Sequence, residues 1–456
     1  MPHRPGVWIV AALANPIVGI ALVIAPLIVL MLGLKFYRDR HSAHPELLRK
    51  CVHIGMGLVT LSFPWLFHEV WPVLVLAGSA AVLLLSIKAV GPMRKLMGGV
   101  VDGVERQSYG EIYFPAAVAV LFWLSQGNWL LYCVPILLLT LGDAVAALVG
   151  VRYGSVKYST DEGQKSAEGS LAFFIVGFLC TLVPLLLFTQ TGRTQTLLIP
   201  LIIGLLATIL EAIAWRGLDN LFLPLGGYLL LKTHLGMSLP TLIAHFVVTL
   251  ALVIFVVIWR RRTTLNDSAV LGAALYGYCV WSIGGIAWLF APVFLFVAYP
   301  LVWPRTSRDA DRTHTINVVT CVGAAGLFWL FVAVAFHVPA LVFVYNVAFG
   351  AQMAMIGLAR LRHRYSHTSG AFLLPLSVIG SWILLVLPPL LVETPPPLMP
   401  ARAAAAFAAL TISAIAFDRL RRDLRNYPCD PARWRLQAAL GMVGSALGLA
   451  PLLWGL

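Results

Sequence analysis

Four short stretches of this chain hold the side chains that phosphate and metal chemistry needs. The densest is Gly142-Asp143-Ala144-Val145-Ala146, continuing to Gly150-Val151-Arg152-Tyr153-Gly154. Gly142, Ala146 and Gly150 recur every fourth residue, a small-residue face that lets a second helix approach closely. Asp143 falls inside an apolar run, where an unpaired carboxylate is costly and usually functional. Two readings stand for it: a bound divalent cation that it neutralises, or an ion pair with Arg152 or Lys157.

The second stretch, Gln164-Lys165-Ser166-Ala167-Glu168-Gly169-Ser170, opens the next apolar run. A helix N-terminus presents unpaired N–H groups and the positive end of its dipole, so it suits a phosphate. Lys165 would add a point charge, Ser166 an N-cap, and Gly169 room for a ligand against the backbone. An ordinary capped helix with a snorkelling lysine explains the same residues. The G-x-x-x-x-G-K spacing of a Walker A loop is absent. The third stretch, Glu211 to Pro224, contains Glu211, Arg216, Asp219 and Asn220. Asp219 or Asn220 reads either as a site residue or as a helix cap, and Glu211 either as a site residue or as the partner of Arg216. The fourth, Arg49-Lys50-Cys51-Val52-His53, sets Arg49 and His53 on one helix face. A positive anchor at the membrane boundary explains Arg49 and Lys50 and leaves His53 unexplained. Lys88 to Glu111 adds a polar interfacial loop with Glu105 and Arg106.

The elements that must hold these residues are membrane helices. The 456 residues are 60% hydrophobic and 11% charged, with a mean hydropathy of +0.88, whereas a soluble domain is about a quarter charged. Apolar runs long enough for a bilayer core of about 30 Å recur from end to end. They predict an all-α polytopic protein of about sixteen transmembrane or half-membrane helices. Around the four stretches these fall near 7–34, 51–67, 129–151, 168–189, 196–214 and 219–232; the last, and one at 268–281, are short enough to be half-helices. The first run reaches Leu34 without an A-x-A-like cleavage site, so it is read as a membrane helix rather than a signal peptide. Six scattered cysteines without a C-x-x-C pair argue against a disulfide framework or a zinc site.

The formal charge of +13 follows loop topology rather than nucleic-acid binding, because 28 of the 32 Lys and Arg residues fall between alternate helices. Cytoplasmic loops carry that excess, which puts the four stretches at the cytoplasmic face and both termini outside. Twelve of the 19 acids lie in the first 262 residues, and the other seven lie in loops or at their edges. The chemistry is therefore assigned to residues 1–262, with a second helical membrane domain over 263–456. Carboxylates for a metal, cations and a helix N-terminus for phosphates, and apolar walls open to lipid suit phosphoryl transfer. Positioning and charge neutralisation do most of the work in that reaction.

The ordered set R-K-x-x-H (Arg49 to His53), G-D-A-x-A (Gly142 to Ala146), G-x-R-Y-G (Gly150 to Gly154), K-S-x-E-G-S (Lys165 to Ser170) and L-D-N-L-x-x-P-L (Leu218 to Leu225) resembles the phytol kinase and dolichol kinase family of polyprenol kinases. The likeness covers roughly residues 35–235. It implies a CTP-dependent, magnesium-requiring kinase of an isoprenoid alcohol such as phytol, farnesol, geranylgeraniol or a longer polyprenol. It also implies Asp143 as the metal carboxylate, and Asp143, Lys165 and Asp219 as the catalytic set. Lys165, Ser166, Glu168 and Gly169 would form the nucleotide-phosphate segment, with Asn220 beside Asp219 in the same site. Arg49, Lys50, His53 and Glu211 complete the candidates. Leu218 stands where phytol kinases carry the first acid of a D-D-N run.

The related phosphatidate cytidylyltransferases are the alternative, although their R-K-D and G-H-G-G-x-x-D-R-x-D signature is absent from the chain. A transporter or non-catalytic scaffold is a third reading. The C-terminal half, from Ser268, resembles a second membrane domain found beside some such kinases. It has no acid at membrane depth, and His337, His363 and His367 fall near loops.

Overall fold

The computed structural model describes residues 15–41, 45–89, 110–160, 163–213, 217–259, 263–303, 314–394, 396–421, 423–426 and 430–453. Ten of the described helices are long and apolar enough to cross a bilayer, and three shorter apolar helices accompany them. The chain is thus an all-α polytopic membrane protein. It divides into two compact units, Met1–Leu250 and Ala251–Leu456. The interfacial loop expected between Lys88 and Glu111 falls mostly outside the described residues.

In the first unit, α1 (Pro16–Arg40) starts where the Asn15 side chain accepts the Ile17 N–H at 2.9 Å. Pro16 takes the first helical position, where its missing N–H costs nothing. The helix runs past Leu34, so Lys35, Arg38 and Arg40 ride its last turns, where cations complement the negative end of the dipole. They are helical and not loop residues. α2 (Pro45–Thr60) likewise begins before the expected 51, which makes Arg49 and Lys50 helical. α3 (Trp71–Ala89) and α4 (Gly110–Ser125) follow.

The helix expected at 129–151 is one continuous span, Trp129–Tyr153, with a π turn inside it. α5 (Trp129–Leu137) contains Pro135, which lacks an N–H and crowds the turn before it. Leu138–Gly142 then widen into a π turn, and α-helix resumes as α6 (Asp143–Tyr153). π turns inside α-helices concentrate at functional sites.

The polar loop expected after α6 is a β-hairpin. β1 (Lys157–Thr160) pairs antiparallel with β2 (Gly163–Ser166), with Tyr158 opposite Lys165. A two-stranded hairpin is marginal by itself, and this one is tied to α7 (Ala167–Phe188). The Glu168 carboxylate accepts the N–H groups of Ser155 and Val156, both at 3.1 Å. The Tyr158 and Ser170 hydroxyls meet at 2.7 Å, and Ser166 caps α7 by accepting the Gly169 N–H at 3.1 Å. α8 (Arg193–Ile213) comes next. The chain then turns at Gly217, whose φ of 78° favours glycine, into α9 (Asp219–Leu235) and α10 (Leu239–Trp259).

The second unit comprises α11 (Asp267–Gly284), α12 (Ile286–Val302), α13 (Ile316–Ala335), α14 (Val342–Arg364), α15 (Gly370–Ser381), a π turn at Trp382–Val386, α16 (Leu387–Glu393), α17 (Met399–Leu420) and α18 (Pro431–Ala446). α14 is its axis, buried without a break from Phe343 to Leu361. Arg360 and Arg433 are interior, both fully buried. The Arg360 guanidinium lies 4.5 Å over the Tyr299 ring and donates to its hydroxyl at 3.3 Å. Arg433 lies 4.6 Å over Trp434. Flat guanidinium groups stack on aromatic faces in this way.

The small-residue face of α6 meets α7 at Gly169. A Cβ there would stand 2.9 Å from the Ala146 carbonyl oxygen and 3.3 Å from the Gly150 Cα. Both are backbone atoms of α6, so relief requires the helices to part. Gly169→Ala should destabilise the detergent-solubilised protein by about 1–3 kcal/mol, the usual cost of overpacking. Gly78→Ala, which meets nothing within 4 Å, should leave stability unchanged or slightly raised. Thermal or denaturant melting of the two variants checks this.

Candidate active site

α2 carries Lys50 and His53, three residues apart and hence on one face. Both reach the start of α6. Lys50 Nζ donates to Asp143 Oδ2 at 2.6 Å, and His53 Nε2 lies 3.7 Å from the same oxygen. Lys50 and Asp143 are buried, 5% and 8% exposed, so each relies on the other for neutralisation. Neither Arg152 nor Lys157 takes the partner role expected for them. The π turn completes the geometry: His53 Nε2 sits 3.3 Å from the Leu139 carbonyl, and its ring stands edge-on to Phe114 at 5.6 Å. α2 comes close enough that a Cβ on Gly57 would fall 2.0 Å from Thr140 Oγ1.

A second lysine–carboxylate pair is built from β2 and the end of α8. Lys165 Nζ donates to Glu211 Oε1 at 2.6 Å and also to the Glu211 backbone carbonyl. Burial alone would lower the Lys165 ammonium, but the Glu211 carboxylate outweighs it and holds Lys165 above the ordinary lysine range, with help from Asp219. Lys165 is therefore a fixed cation. It does not snorkel, and Glu211 answers to it; Arg216 lies outside the described residues.

Asp219 links the pairs. Its charge acts on His53 and on Lys165, and the Lys165 charge acts on Asp143. Asp219 is the first residue of α9, where an acid complements the helix dipole. Its Oδ1 accepts the adjacent Asn220 N–H at 3.0 Å, and Leu218 occupies the cap position without a side-chain cap. The helix-cap reading of Asp219 and Asn220 is therefore not what the structure has. Two Lys–carboxylate pairs, one histidine and one half-buried aspartate converge in the first unit.

The remaining candidates have local duties. Ser166 caps α7, Glu168 clamps the hairpin, and Gly169 is the contact with α6. Arg49 is helical, and its side chain lies outside the described residues. Among the described residues no three His, Cys, Asp or Glu side chains gather as a metal cage. Sequence reasoning missed the π turn, the hairpin and the identity of Asp143's partner. The i,i+3 spacing of Lys50 and His53 puts the two on one face and does not identify the residue they meet.

Removing one partner of a buried pair strands the other charge. Lys50→Met should cost about 3–5 kcal/mol of stability, whereas Lys50→Met combined with Asp143→Leu should recover most of it. Equilibrium unfolding of the single and double variants in detergent measures the coupling, and additive losses would show that the pair is not coupled.

No family model matches the chain, and no solved structure matches it. Among curated proteins, it is 31% identical to the phytol kinase of Synechocystis sp. over 232 residues, which is 50% of this chain and 93% of that relative. It is 27% identical to the probable chloroplastic phytol kinase 1 of Glycine max over 210 residues, 41% of this chain and 66% of the relative. It is 26% identical to the probable chloroplastic phytol kinase of Zea mays over 211 residues, again 41% and 66%. The Synechocystis enzyme is matched over almost its whole length, and the chain belongs to the phytol kinase family.

Proposed function

We propose that this protein transfers the γ-phosphoryl group of CTP to phytol or a related isoprenoid alcohol, at the cytoplasmic face of its membrane. The observation that carries the reading is the convergence of Lys50–Asp143, Lys165–Glu211, His53 and Asp219 within a unit of apolar helices, in a chain of this family. In the reaction the alcohol oxygen bonds to the γ-phosphorus and gives its proton to water, the bond to the bridging β–γ oxygen breaks, and CDP leaves. Fixed cations act where negative charge gathers on the transferring group. Lys165 serves the nucleotide phosphates, and Lys50 becomes available to them when Asp143 takes another counter-ion.

Magnesium keeps several waters and is usually held by one or two carboxylates together with substrate phosphates. Asp143 and Asp219, without a third protein ligand among the described residues, fit that requirement better than the fuller cage of zinc or calcium. When bound, the ion would supply charge neutralisation at the phosphates. The cytoplasmic assignment is supported by the Lys and Arg bias between alternate helices.

Purified protein given an isoprenoid alcohol should move label from γ-labelled CTP into lipid and release CDP. No α-label should reach phosphatidate. α-label in lipid with released pyrophosphate would identify cytidylyl transfer instead. Asp143→Asn and Lys165→Ala should each reduce turnover by at least about a hundredfold, the scale for losing one preorganised electrostatic group, while membrane insertion stays near normal. Full activity in both variants would overturn the site assignment.

The topology has its own test. Lys157 is exposed on β1, so Lys157→Cys should react with a membrane-impermeant maleimide in inside-out vesicles and not in intact cells. Labelling of intact cells would put the site on the wrong side for CTP.

A further inference from the structure

The two ring nitrogens of His53 face different surroundings. Nε2 stands beside two oxygens that accept hydrogen bonds, the Leu139 carbonyl at 3.3 Å and the Asp143 carboxylate at 3.7 Å. The ring hydrogen therefore belongs on Nε2, which donates it to Leu139, and the lone pair falls to Nδ1. Asp143 has the Lys50 ammonium at 2.6 Å for its counter-charge, so it does not call on His53 as a second cation. The His53 side chain is 12% exposed. Nδ1 has no hydrogen-bond partner among the described residues, yet it is not sealed from solvent. It is an open acceptor.

Two contacts fix the direction of that acceptor. Flipping the ring would give up the Leu139 bond, and the Phe114 ring stands against it at 61°. Leu139 belongs to the π turn that leads into Asp143, so one turn orients the acid and the imidazole together. An acceptor of fixed direction selects a group that brings a hydrogen. An ionised phosphate brings lone pairs instead. Imidazole also suits zinc, but among the described residues no third His, Cys, Asp or Glu joins His53 and Asp143. Magnesium prefers oxygen ligands. An alcohol held through its hydrogen keeps its oxygen lone pairs free, and those electrons must reach phosphorus. The Asp219 charge acts on both His53 and Lys165, so the acceptor and the phosphate-binding cation are neighbours of one aspartate.

We propose that His53 Nδ1 accepts a hydrogen bond from the hydroxyl of the lipid alcohol and so aims its oxygen at the γ-phosphorus. No proton changes place in this contact, which serves binding and orientation. It rests on the kinase reading for what the alcohol does next, whereas the contact itself needs no nucleotide.

The full chain in nanodiscs, without CTP, would be irradiated with a geranylgeraniol analogue carrying a diazirine beside the hydroxyl carbon, and the labelled peptides mapped by mass spectrometry. Label is expected on α2 or α4, near His53 and Phe114. Geranylgeraniol should displace it about tenfold better than its methyl ether, which keeps the oxygen and loses the hydrogen. Two variants separate recognition from packing. The amide of His53→Asn can place an oxygen where Nδ1 stands, whereas that of His53→Gln reaches the Nε2 position and keeps the Leu139 contact. His53→Asn should hold the alcohol within about threefold of the native chain, and His53→Gln should weaken it about tenfold. The KM for the alcohol should show the same split, with the KM for CTP unchanged. Equal displacement by the methyl ether in the native chain, or a greater loss in His53→Asn than in His53→Gln, would overturn the contact and leave His53 as packing for the π turn. Alcohol bound as expected by a native chain that moves no label from CTP would sink the kinase reading and support the contact.

Discussion

A carboxylate held in an apolar helical protein needs a counter-charge wherever it is, and Asp143 is the residue on which that constraint bears hardest. Water cannot solvate it at 8% exposure, so α2 must deliver Lys50 to within 2.6 Å. That one demand sets much of the first unit. It brings α2 close enough to the π turn for glycine to be needed at position 57. It fixes the rotation of α6, and thereby turns Gly150 toward α7. The hairpin then follows from α7, because Ser166 caps that helix and Lys165 precedes the cap. Lys165 can reach Glu211 only from there.

Ion pairs of this kind are weak contributors to stability, because desolvating two charges consumes most of what their attraction returns. An apolar pair of similar volume would hold the helices together as well. Charge at this place is better understood as capacity for exchange. In the proposed kinase reading, a phosphate would replace the carboxylate as each lysine's partner, and a metal would replace the lysine as the carboxylate's. The two pairs thus store a neutral arrangement that can be repartitioned when a charged ligand arrives, without leaving a bare charge in the low dielectric of the helices.

Much of the architecture was legible in the sequence, since bilayer-length apolar runs are a long and strongly constrained signal. Helices expected at 168–189 and 196–214 appear as Ala167–Phe188 and Arg193–Ile213. Errors arose where the signal was local or weak. The hairpin strands are four residues each and mostly polar, a pattern that hydropathy reads as loop. Lys50 and Arg360 look like positive-inside anchors because basic residues usually are, yet a salt bridge in one case and an aromatic face in the other take them into the interior. Asp143's partner lies 93 positions away, and no local spacing rule reaches that far. Gly169 shows the opposite error: glycine was read as room for a ligand, when a neighbouring helix occupies that room.

The π turn at Leu138–Gly142 has a consequence for how this segment tolerates insertion and deletion. Tightening these five residues to regular α-helix with none removed would keep every side chain and every apolar run. It would nevertheless turn Asp143 and all of α6 by about 100° relative to α5, the angular step of one α-helical residue. Asp143 would leave Lys50 and His53, and the small-residue face would swing away from α7. The wide turn thus absorbs one residue more than a regular helix holds, and a family member lacking that residue would present the same site from an unbroken α-helix.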